Sequence, residues 1–462
     1  MEISPFRGIR YNREIIGDMA WVICPPYDVI SPNQQEFYYG VSDYNAIRLE
    51  HPLPDRCQLP NVNYNDKYSM AATTLRQWLR QGVLEIDDCP SFYLHDQYFD
   101  YLGTRRVRRG LVARVALEPW GSGIYPHEET FPKAKDDRLK LMRACRANFS
   151  PLFSLYHDSE QKITSILSEV ARGKPIIDVA GLSPLMRNGE GGERHVVWAI
   201  TDPETKNQLG GLLSTQTLSM ADGHHRYETA LTYQLEQSQA RRNSKIEQPL
   251  TGKEAFNYIM MELVEFSDPG LLVLPIYRLV RGISPSSLAG LEKQLDNFFT
   301  LEFITLTDTL FASSNYDKSE PRVKCEGDEA LSELLNGAVL GVLGLKAGFL
   351  VLLRERRNLS LGNMVTGDHP QVYKQFSVSL LNHVILDRLP GFAASEGDIV
   401  YTESATEAYR RIQEGEYQLA FLLNPPQTKI VKAFADAKAK MPGKSTYFYP
   451  KLPTGLIINL LD

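Results

Sequence analysis

Stretches of strand-like and helix-like apolar patterning are interspersed along the whole chain. Short apolar runs predict strands near residues 152–156, 195–201, 271–280 and 417–423, and a hairpin over residues 91–117. Apolar residues at helical spacing predict helices over residues 68–82, 134–148, 284–299, 376–389 and 428–440. Because both kinds of element occur throughout, without a repeat, the pattern predicts an α/β or α+β fold.

The chain has 462 residues, more than a single domain usually contains. We expect a core domain over residues 1–265, a small α/β unit over residues 266–360 that resembles an insertion, and a C-terminal α/β segment over residues 361–462 that packs back on the core. The apolar run at residues 337–353 is too short to span a membrane and is interrupted by Lys346. It predicts a hairpin of two buried strands that turns at residues 346–348.

Composition narrows the class of protein further. The formal net charge of −6 provides no overall attraction to nucleic acid or to an anionic membrane. The five cysteines are widely spaced and form no C-x-x-C pair, which argues against a disulfide framework and a structural zinc site. The N-terminus has charged residues where a signal peptide needs an apolar core. We therefore expect a cytoplasmic protein that acts on a small-molecule substrate, with neither a membrane nor nucleic acid as partner.

Residues 217–231, TLSMADGHHRYETAL, predict a strand, a tight turn and a helix. The strand ends near residue 220, and Asp222 and Gly223 form the turn. Tyr227, Ala230, Leu231 and Leu235 would form the buried stripe of the helix.

The first turn of such a helix presents backbone N–H groups at the positive end of the helix dipole, an arrangement that favours phosphate. Gly223 allows a ligand to approach closely, and Arg226 adds a planar fork of donors. His224 and His225 can donate hydrogen bonds or exchange a proton. In the alternative, Asp222 is only a helix cap, Gly223 only a turn residue and Arg226 only the partner of a carboxylate.

Two further segments carry candidate site residues. In PHEETFPKAKDDRLK (126–140), His127 and Glu128 precede a helix that carries Lys133 and Arg138. This helix is either a solvated charged face or a basic wall beside a phosphate, with Glu128 as a base or metal ligand. In CPPYDVIS (24–31), Asp28 either caps a turn or supplies a carboxylate to the site.

Two other segments have a structural and a functional interpretation. TRRVRRG (104–110) is interpreted first as an edge strand protected by its charges, and second as a phosphate-binding patch. MPGKSTYFYPKLPTG (441–455) is interpreted first as aromatic core packing, and second as a pocket lining that contains Lys444 and Lys451.

Several separated motifs, in order, resemble a bacterial and archaeal family catalogued as a domain of unknown function. They are PFRGIRYN, CPPYDVIS, HEET followed by DRLKLMRACRANFSP, ADGHHRYETAL, DPGLLVLP, EGEYQLAFLLNPP and MPGKSTYFYPKL. The resemblance spans nearly the whole chain. It departs from the family pattern at residues 274–278, where Tyr277 occupies the position expected to hold a histidine.

The DGHHR element also resembles, more distantly, the phosphate-binding turn of the ParB/sulfiredoxin superfamily, some members of which phosphorylate free serine. This resemblance implies a ParB/sulfiredoxin-like phosphate-binding core elaborated by extra α/β segments. It further implies a kinase for a small molecule, with free L-serine as acceptor, ATP or pyrophosphate as donor, and Mg²⁺ bridging the donor oxygens.

The kinase hypothesis assigns expected roles to the candidate residues. Residues 223–226, with Lys133 or Arg138, would hold the donor phosphates. Asp222, Glu128 and Asp28, in that order, are the candidates for the base, and Asp222 and Glu128 for the metal ligands. His225 would orient a phosphate or the base.

Two other functions stay open at this point. One is a binding or regulatory module of ParB type that binds a nucleotide without consuming it. The other is a metal-dependent hydrolase that uses His127, Glu128, Asp222 and His224. The kinase hypothesis requires the DGHHR turn to be accessible. A buried arginine locked in an ion pair, without an adjoining cavity, would contradict it.

Overall fold

The fold is given by a computed structural model that describes residues 1–53, 66–128, 132–181, 192–243, 251–306, 326–389, 392 and 397–462. Of residues 66, 132–134 and 326–329, the backbone alone is described. Lys133 therefore lies in a described helix, but its side chain falls outside the described part.

The strands of the described residues are β1 (Ile3–Ser4), β2 (Ile9–Tyr11), β3 (Leu84–Ile86), β4 (Phe92–Tyr101), β5 (Thr104–Ala116), β6 (Ile124–Pro126), β7 (Ala147–Asn148), β8 (Leu152–Tyr156), β9 (Ile177–Ala180), β10 (Arg194–Ile200), β11 (Leu218–Asp222), β12 (Tyr258–Glu265), β13 (Leu272–Leu274), β14 (Tyr277–Val280), β15 (Phe299–Thr305), β16 (Leu340–Leu343), β17 (Phe349–Glu355), β18 (Ile399–Thr402), β19 (Leu419–Leu423), β20 (Tyr447–Tyr449) and β21 (Asn459–Leu460).

The α-helices are α1 (Arg13–Ile16), α2 (Pro32–Val41), α3 (Ile47–Glu50), α4 (Asp66–Arg80), α5 (Pro132–Cys145), α6 (Lys162–Val170), α7 (Pro203–Ser214), α8 (His224–Asn243), α9 (Pro285–Asp296), α10 (Glu326–Leu335), α11 (Gln371–Lys374), α12 (Ser377–Leu380), α13 (Ala405–Gln413) and α14 (Thr428–Asp436). None of the helices in the described ranges is both long and apolar enough to cross a bilayer.

The chain divides into two compact units. The first unit comprises Met1–Pro126, Thr130–Leu271 and Pro450–Asp462. Its main sheet has nine strands in the order β6-β11-β8-β12-β5-β4-β10-β9, with β1 added beside β5. The pairs β6/β11 and β8/β12 are parallel and the other pairs are antiparallel. Separate apolar clusters pack around this sheet, so the predicted mixed α/β class is confirmed.

The second unit comprises His127–Glu129 and Leu272–Tyr449. Its main sheet is antiparallel, in the order β15-β17-β16-β19-β14-β18. Alternate residues of its strands belong to two different apolar clusters. In β16, for example, Val342 belongs to one cluster and Leu343 to the other. Since successive strand residues point to opposite faces, both faces of this sheet are covered.

Local patterning predicts several elements correctly. Strands β4 and β5 form the hairpin expected over residues 91–117, and β16 and β17 form the one expected to turn at residues 346–348. Ser284 caps α9 by accepting a hydrogen bond from the N–H of Ser287. The helix predicted over residues 376–389 is irregular. After α12 it continues as a π-helical turn at Leu381–Ile385 and a 3-10 turn at Leu386–Arg388.

Two other predictions need correction. Leu235, assigned to the buried stripe of α8, is 62% exposed, and Tyr233 is buried instead. The arginine-rich strand β5 lies inside the sheet, between β4 and β12. The ladder with β12 ends at Gly110, so residues 104–109 extend past β12 while they pair with β4. Only this part of the strand has the character of an edge.

Candidate functional site

The DGHHR turn lies in the first unit, at the point where β11 ends and α8 begins. Leu218 and Met220 are buried in the sheet, and the ladder with β8 shifts register between Met220 and Asp222. Gly223 has a φ of 94°, and a Cβ at this position would lie 2.8 Å from Cγ of Leu152. The turn therefore requires glycine both for its conformation and for its packing.

Asp222 forms two ion pairs. Its Oδ1 accepts from Nζ of Lys451 at 2.8 Å, and its Oδ2 lies 3.3 Å from Nη2 of Arg226. The Asp222 side chain is 23% exposed and that of Lys451 12% exposed. Burial by itself would raise the pKa of Asp222, but Lys451 and Arg226 hold it well below its usual range. Asp222 is therefore an ionised carboxylate and a poor proton acceptor.

Arg226 has more hydrogen-bonding partners within the protein than the sequence predicts. Its Nη1 donates to Oγ of Ser150 at 2.8 Å and to the carbonyl of Pro151 at 3.2 Å, and its side chain is 12% exposed. Burial opposes its charge, yet the surrounding acidic groups, Asp222 foremost, raise its pKa. The guanidinium group thus ties the first turn of α8 to the segment before β8, and the arginine is not an open fork of donors.

The CPPYD segment lies beside this turn. Asp28 is exposed, and its carboxylate interacts electrostatically with both Arg226 and Lys451. Tyr27 is half-buried, and burial raises its pKa to about 12 despite the nearby Arg226 and Arg138. Tyr27 is therefore a neutral phenol at physiological pH, whereas Asp28 is the accessible carboxylate of the cluster.

Arg138 is buried in an ion-pair network. Its Nη1 donates to the carbonyl oxygen of Glu50 at 2.8 Å and to Oε1 of Glu50 at 3.1 Å, while Nε donates to Asp137 at 2.9 Å. The guanidinium carbon lies 4.0 Å from the centre of the Tyr27 ring. Because these partners occupy the guanidinium group, Arg138 has a structural role beside the site, which it contacts through the Tyr27 ring.

A cavity of about 40 Å³ adjoins Arg226 and Arg138. This volume holds a few water molecules, and it is far below the several hundred Å³ of a ligand pocket. The cavity is therefore too small for a metabolite, and Asp28 is the exposed residue of the cluster.

Lys451 is held in place by a buried polar array. Arg108 is fully buried and donates to the carbonyl of Pro450 at 2.7 Å, and Nε2 of Gln97 donates to the carbonyl of Lys451 at 3.2 Å. Gln97 also donates to Oε2 of Glu193 at 2.8 Å. These bonds attach the C-terminal segment to β4 and β5 and direct Lys451 towards Asp222.

The same array continues through two buried histidines. Nδ1 of His95 lies 2.8 Å from Oε2 of Glu262, and its Nε2 lies 3.0 Å from Nδ1 of His195. Nε2 of His195 lies 3.5 Å from Oε2 of Glu193. Burial lowers the pKa of His195 against the effect of Glu193.

The HEET motif belongs in part to the second unit. Nε2 of His127 lies 2.8 Å from Oγ1 of Thr446, and the carbonyl of His127 accepts from the N–H of Met441 at 2.6 Å. Oε2 of Glu128 accepts from the N–H of Lys444 at 3.2 Å. The two residues therefore contact the segment 441–446, which supports a structural contribution of this motif.

The remaining turn residues have mixed environments. His224 is buried, with its ring centre 6.1 Å from that of Trp120, and His225 is half-buried. Within the described ranges, no group of three or more His, Cys, Asp or Glu side chains is arranged to hold a metal ion. The metal-dependent hydrolase hypothesis thus has no ligand set among the described residues.

Sequence reasoning identified Asp28, Asp222 and Arg226 as candidates but gave Lys451 little weight and passed over Glu50. The signal for Lys451 was its position in a motif shared with the family, two residues before the Pro453-Thr454-Gly455 turn. No local signal marks Glu50, since its importance arises from burial beside Arg138.

The chain was compared with protein families and with solved structures. A family described as "Protein of unknown function (DUF1015)" matches residues 3–363. Among curated proteins, none matches. Similar solved structures include a conserved hypothetical protein from Pyrococcus furiosus (TM-score 0.32, 12% identity, 76% of this chain and 95% of that chain). They also include a free serine kinase in complex with AMP (0.32, 12%, 74% and 90%) and SbnI with a C-terminal truncation from Staphylococcus aureus (0.32, 11%, 76% and 87%). Structural similarities with TM-scores this low give no evidence about the chemistry of this chain.

Proposed function

Because the chain belongs to the DUF1015 family, whose description names no activity, we propose a function from the residues themselves: a small-molecule phosphotransferase, with free L-serine as the acceptor. The observation that carries the proposal is the convergence of Asp28, Asp222, Arg226 and Lys451 at one turn. These residues come from three distant parts of the chain. The choice of serine depends on the resemblance of the DGHHR element alone.

The donor, ATP or pyrophosphate, binds with its phosphates at the start of α8. The N–H groups of a first helical turn lack carbonyl partners within the helix and attract anions. Lys451 and Arg226 supply positive charge beside this turn, and Asp222 keeps both cations in position. Phosphoryl transfer depends mainly on such positioning and charge neutralisation.

Asp28 is the best candidate for the base. Asp222 is held ionised by its two cations, and both of its oxygens are engaged. In the proposed step, the hydroxyl oxygen of the acceptor forms a bond to the terminal phosphorus of the donor. The bond from that phosphorus to the bridging oxygen breaks, and the acceptor proton passes to the Asp28 carboxylate.

Mg²⁺ that arrives with the donor phosphates keeps several of its waters and would be held mainly by the phosphate oxygens. Both oxygens of Asp222 are engaged by cations, so Asp222 is not a candidate ligand for it. Bound Mg²⁺ would neutralise charge on the donor oxygens. Roles for Glu128 and Lys133 remain predictions.

The test is phosphoserine formation by the full chain from serine plus ATP or pyrophosphate, with magnesium, followed by ³¹P NMR. We expect product with the wild type, and a rate at least ~10²-fold lower with Asp28→Asn, the range for loss of a general base. Asp43→Asn is the matched control, because Asp43 is an exposed aspartate of the same unit that pairs with Arg48.

Each outcome of this experiment has a defined meaning. Absence of phosphoserine with either donor would refute the kinase. Donor binding without consumption, measured by calorimetry, would instead indicate a nucleotide-dependent binding module. Equal rates for Asp28→Asn and Asp43→Asn would refute Asp28 as the base while leaving the transfer reaction intact.

A further inference from the structure

The second unit contains a cleft of about 900 Å³ that the proposed phosphotransfer does not use. Its lining comes from residues 368–373, 382–387, 399–401 and 437–443, with Phe392, and all of them belong to that unit. Sites for small molecules commonly have volumes of about 300–1,000 Å³. The cleft is therefore large enough for a metabolite of considerable size.

One wall of the cleft is aromatic. The rings of His369 and Tyr373 are stacked, with their centres 3.9 Å apart and their planes at 13°. Tyr401 also lines the cleft, and it is 46% exposed. Flat aromatic surfaces of this kind bind planar heteroaromatic rings by stacking.

The same wall carries polar groups on an unusual backbone. Asn382 and His383 lie on the π-helical turn at Leu381–Ile385, and Nδ1 of His383 lies 3.2 Å from Oδ2 of Asp387. Isolated π-helical turns are frequent at functional sites, because the additional residue redirects side chains. Here the turn provides an amide and an imidazole for the edge of a ring.

Residues 437–443 of the lining, called the basic wall below, include a lysine in an unfavourable backbone conformation. Lys438 follows α14 with a φ of 51°, and the N–H of Ala439 donates to the carbonyl of Phe434. This left-handed position after a helix is normally occupied by glycine. Lys440 also lines this wall, and both lysines are exposed.

The basic wall is anchored from behind by a buried arginine. Arg278, which follows the Tyr277 that departs from the family pattern, is 2% exposed and donates to the carbonyls of Gly443 and Lys444. Its guanidinium carbon lies 5.6 Å from the centre of the Tyr401 ring. Arg278 thus connects the basic loop to the aromatic ring and adds positive charge behind the wall.

We propose that this cleft binds a nucleoside phosphate, with its ring on the aromatic wall and its phosphate at Lys438 and Lys440. Asp368 and Asp387 are the acidic residues of the lining, and their carboxylates would accept hydrogen bonds from a ring or ribose. The inference does not depend on the phosphotransferase function, since it concerns other residues and requires no reaction.

The test is calorimetric titration of the full chain with AMP and with adenosine. We expect Lys438→Gly to weaken AMP binding at least tenfold and to leave adenosine binding unchanged, because only the phosphate contact is lost. Tyr401→Leu should weaken both ligands. Arg146→Gly is the matched control, because Arg146 is a basic residue with a φ of 49° directly after α5, in the first unit.

Protein stability separates a binding effect from misfolding. Since glycine relieves the positive φ, Lys438→Gly should unfold at a temperature equal to or above that of the wild type. Failure of the wild type to bind AMP at millimolar concentration would overturn the proposal. So would AMP binding that survives Lys438→Gly and Tyr401→Leu but is lost in Arg226→Gln, because that result transfers the nucleotide to the first unit.

Discussion

The ion pair between Lys451 and Asp222 provides a quantitative test of the candidate site. Lys451→Met keeps the length of the side chain and removes its charge. Removing one member of a buried pair costs about 3–5 kcal/mol, because the other charge is left without its partner. Asp222 retains Arg226 at 3.3 Å and is 23% exposed, so we expect a loss near 2 kcal/mol in the free energy of unfolding.

The chain contains a matched control for this substitution. Nζ of Lys140 lies 2.8 Å from Oδ2 of Asp136, the same separation as in the Lys451–Asp222 pair. The two side chains of the control pair are 40% and 66% exposed. Exposed pairs of this spacing on a helix contribute about 0.3–0.5 kcal/mol. Lys140→Met should therefore change stability by no more than this amount.

The effect of Lys451→Met should also depend on pH. The pKa of Asp222 is lower in the folded than in the unfolded state. The carboxylate therefore stabilises the fold fully above its unfolded-state pKa of about 4, and this contribution is lost as the pH falls through the folded-state pKa. Urea unfolding of wild type and variant should differ by about 2 kcal/mol at pH 7, and the difference should shrink below pH ~4. A variant as stable as Lys140→Met, or a difference that persists unchanged in acid, would refute the assignment of Asp222 as an ionised residue held by Lys451.

Two other substitutions test the structural requirements of the first unit. Gly223→Ala should lower the free energy of unfolding in urea by about 2–3 kcal/mol, because alanine has a strained positive φ there and its Cβ meets Leu152. Gly121→Ala is the control: its φ is 89° but nothing lies within 4 Å, so it should cost only about 1 kcal/mol. Equal losses would show that the Leu152 contact is unimportant. Burial lowers the folded-state pKa of His195 below its unfolded value near ~6.5, so its contribution is present above that pH and lost on acidification. The stability of the wild type should therefore fall as the pH drops below about 6.5, and it should fall less steeply in His195→Gln.

Local sequence determined the elements and the position of one turn. The hairpins β4–β5 and β16–β17, the capped helix α9 and the turn between β11 and α8 follow from side-chain periodicity, turn residues and caps. These signals act over a few residues and so can be read without knowledge of the rest of the chain. They fail where burial depends on distant neighbours, as at the exposed Leu235.

Tertiary structure decided which charges meet. Nothing near Lys451 in the sequence indicates that it contacts Asp222, more than 200 positions away, because strand order and the closure of the C-terminal segment bring them together. The same packing places Arg138 in an ion pair with Glu50 and leaves Asp28 exposed. Whether a charged side chain binds a ligand or a partner depends on its desolvation and on the groups opposite it, which are properties of the folded chain alone.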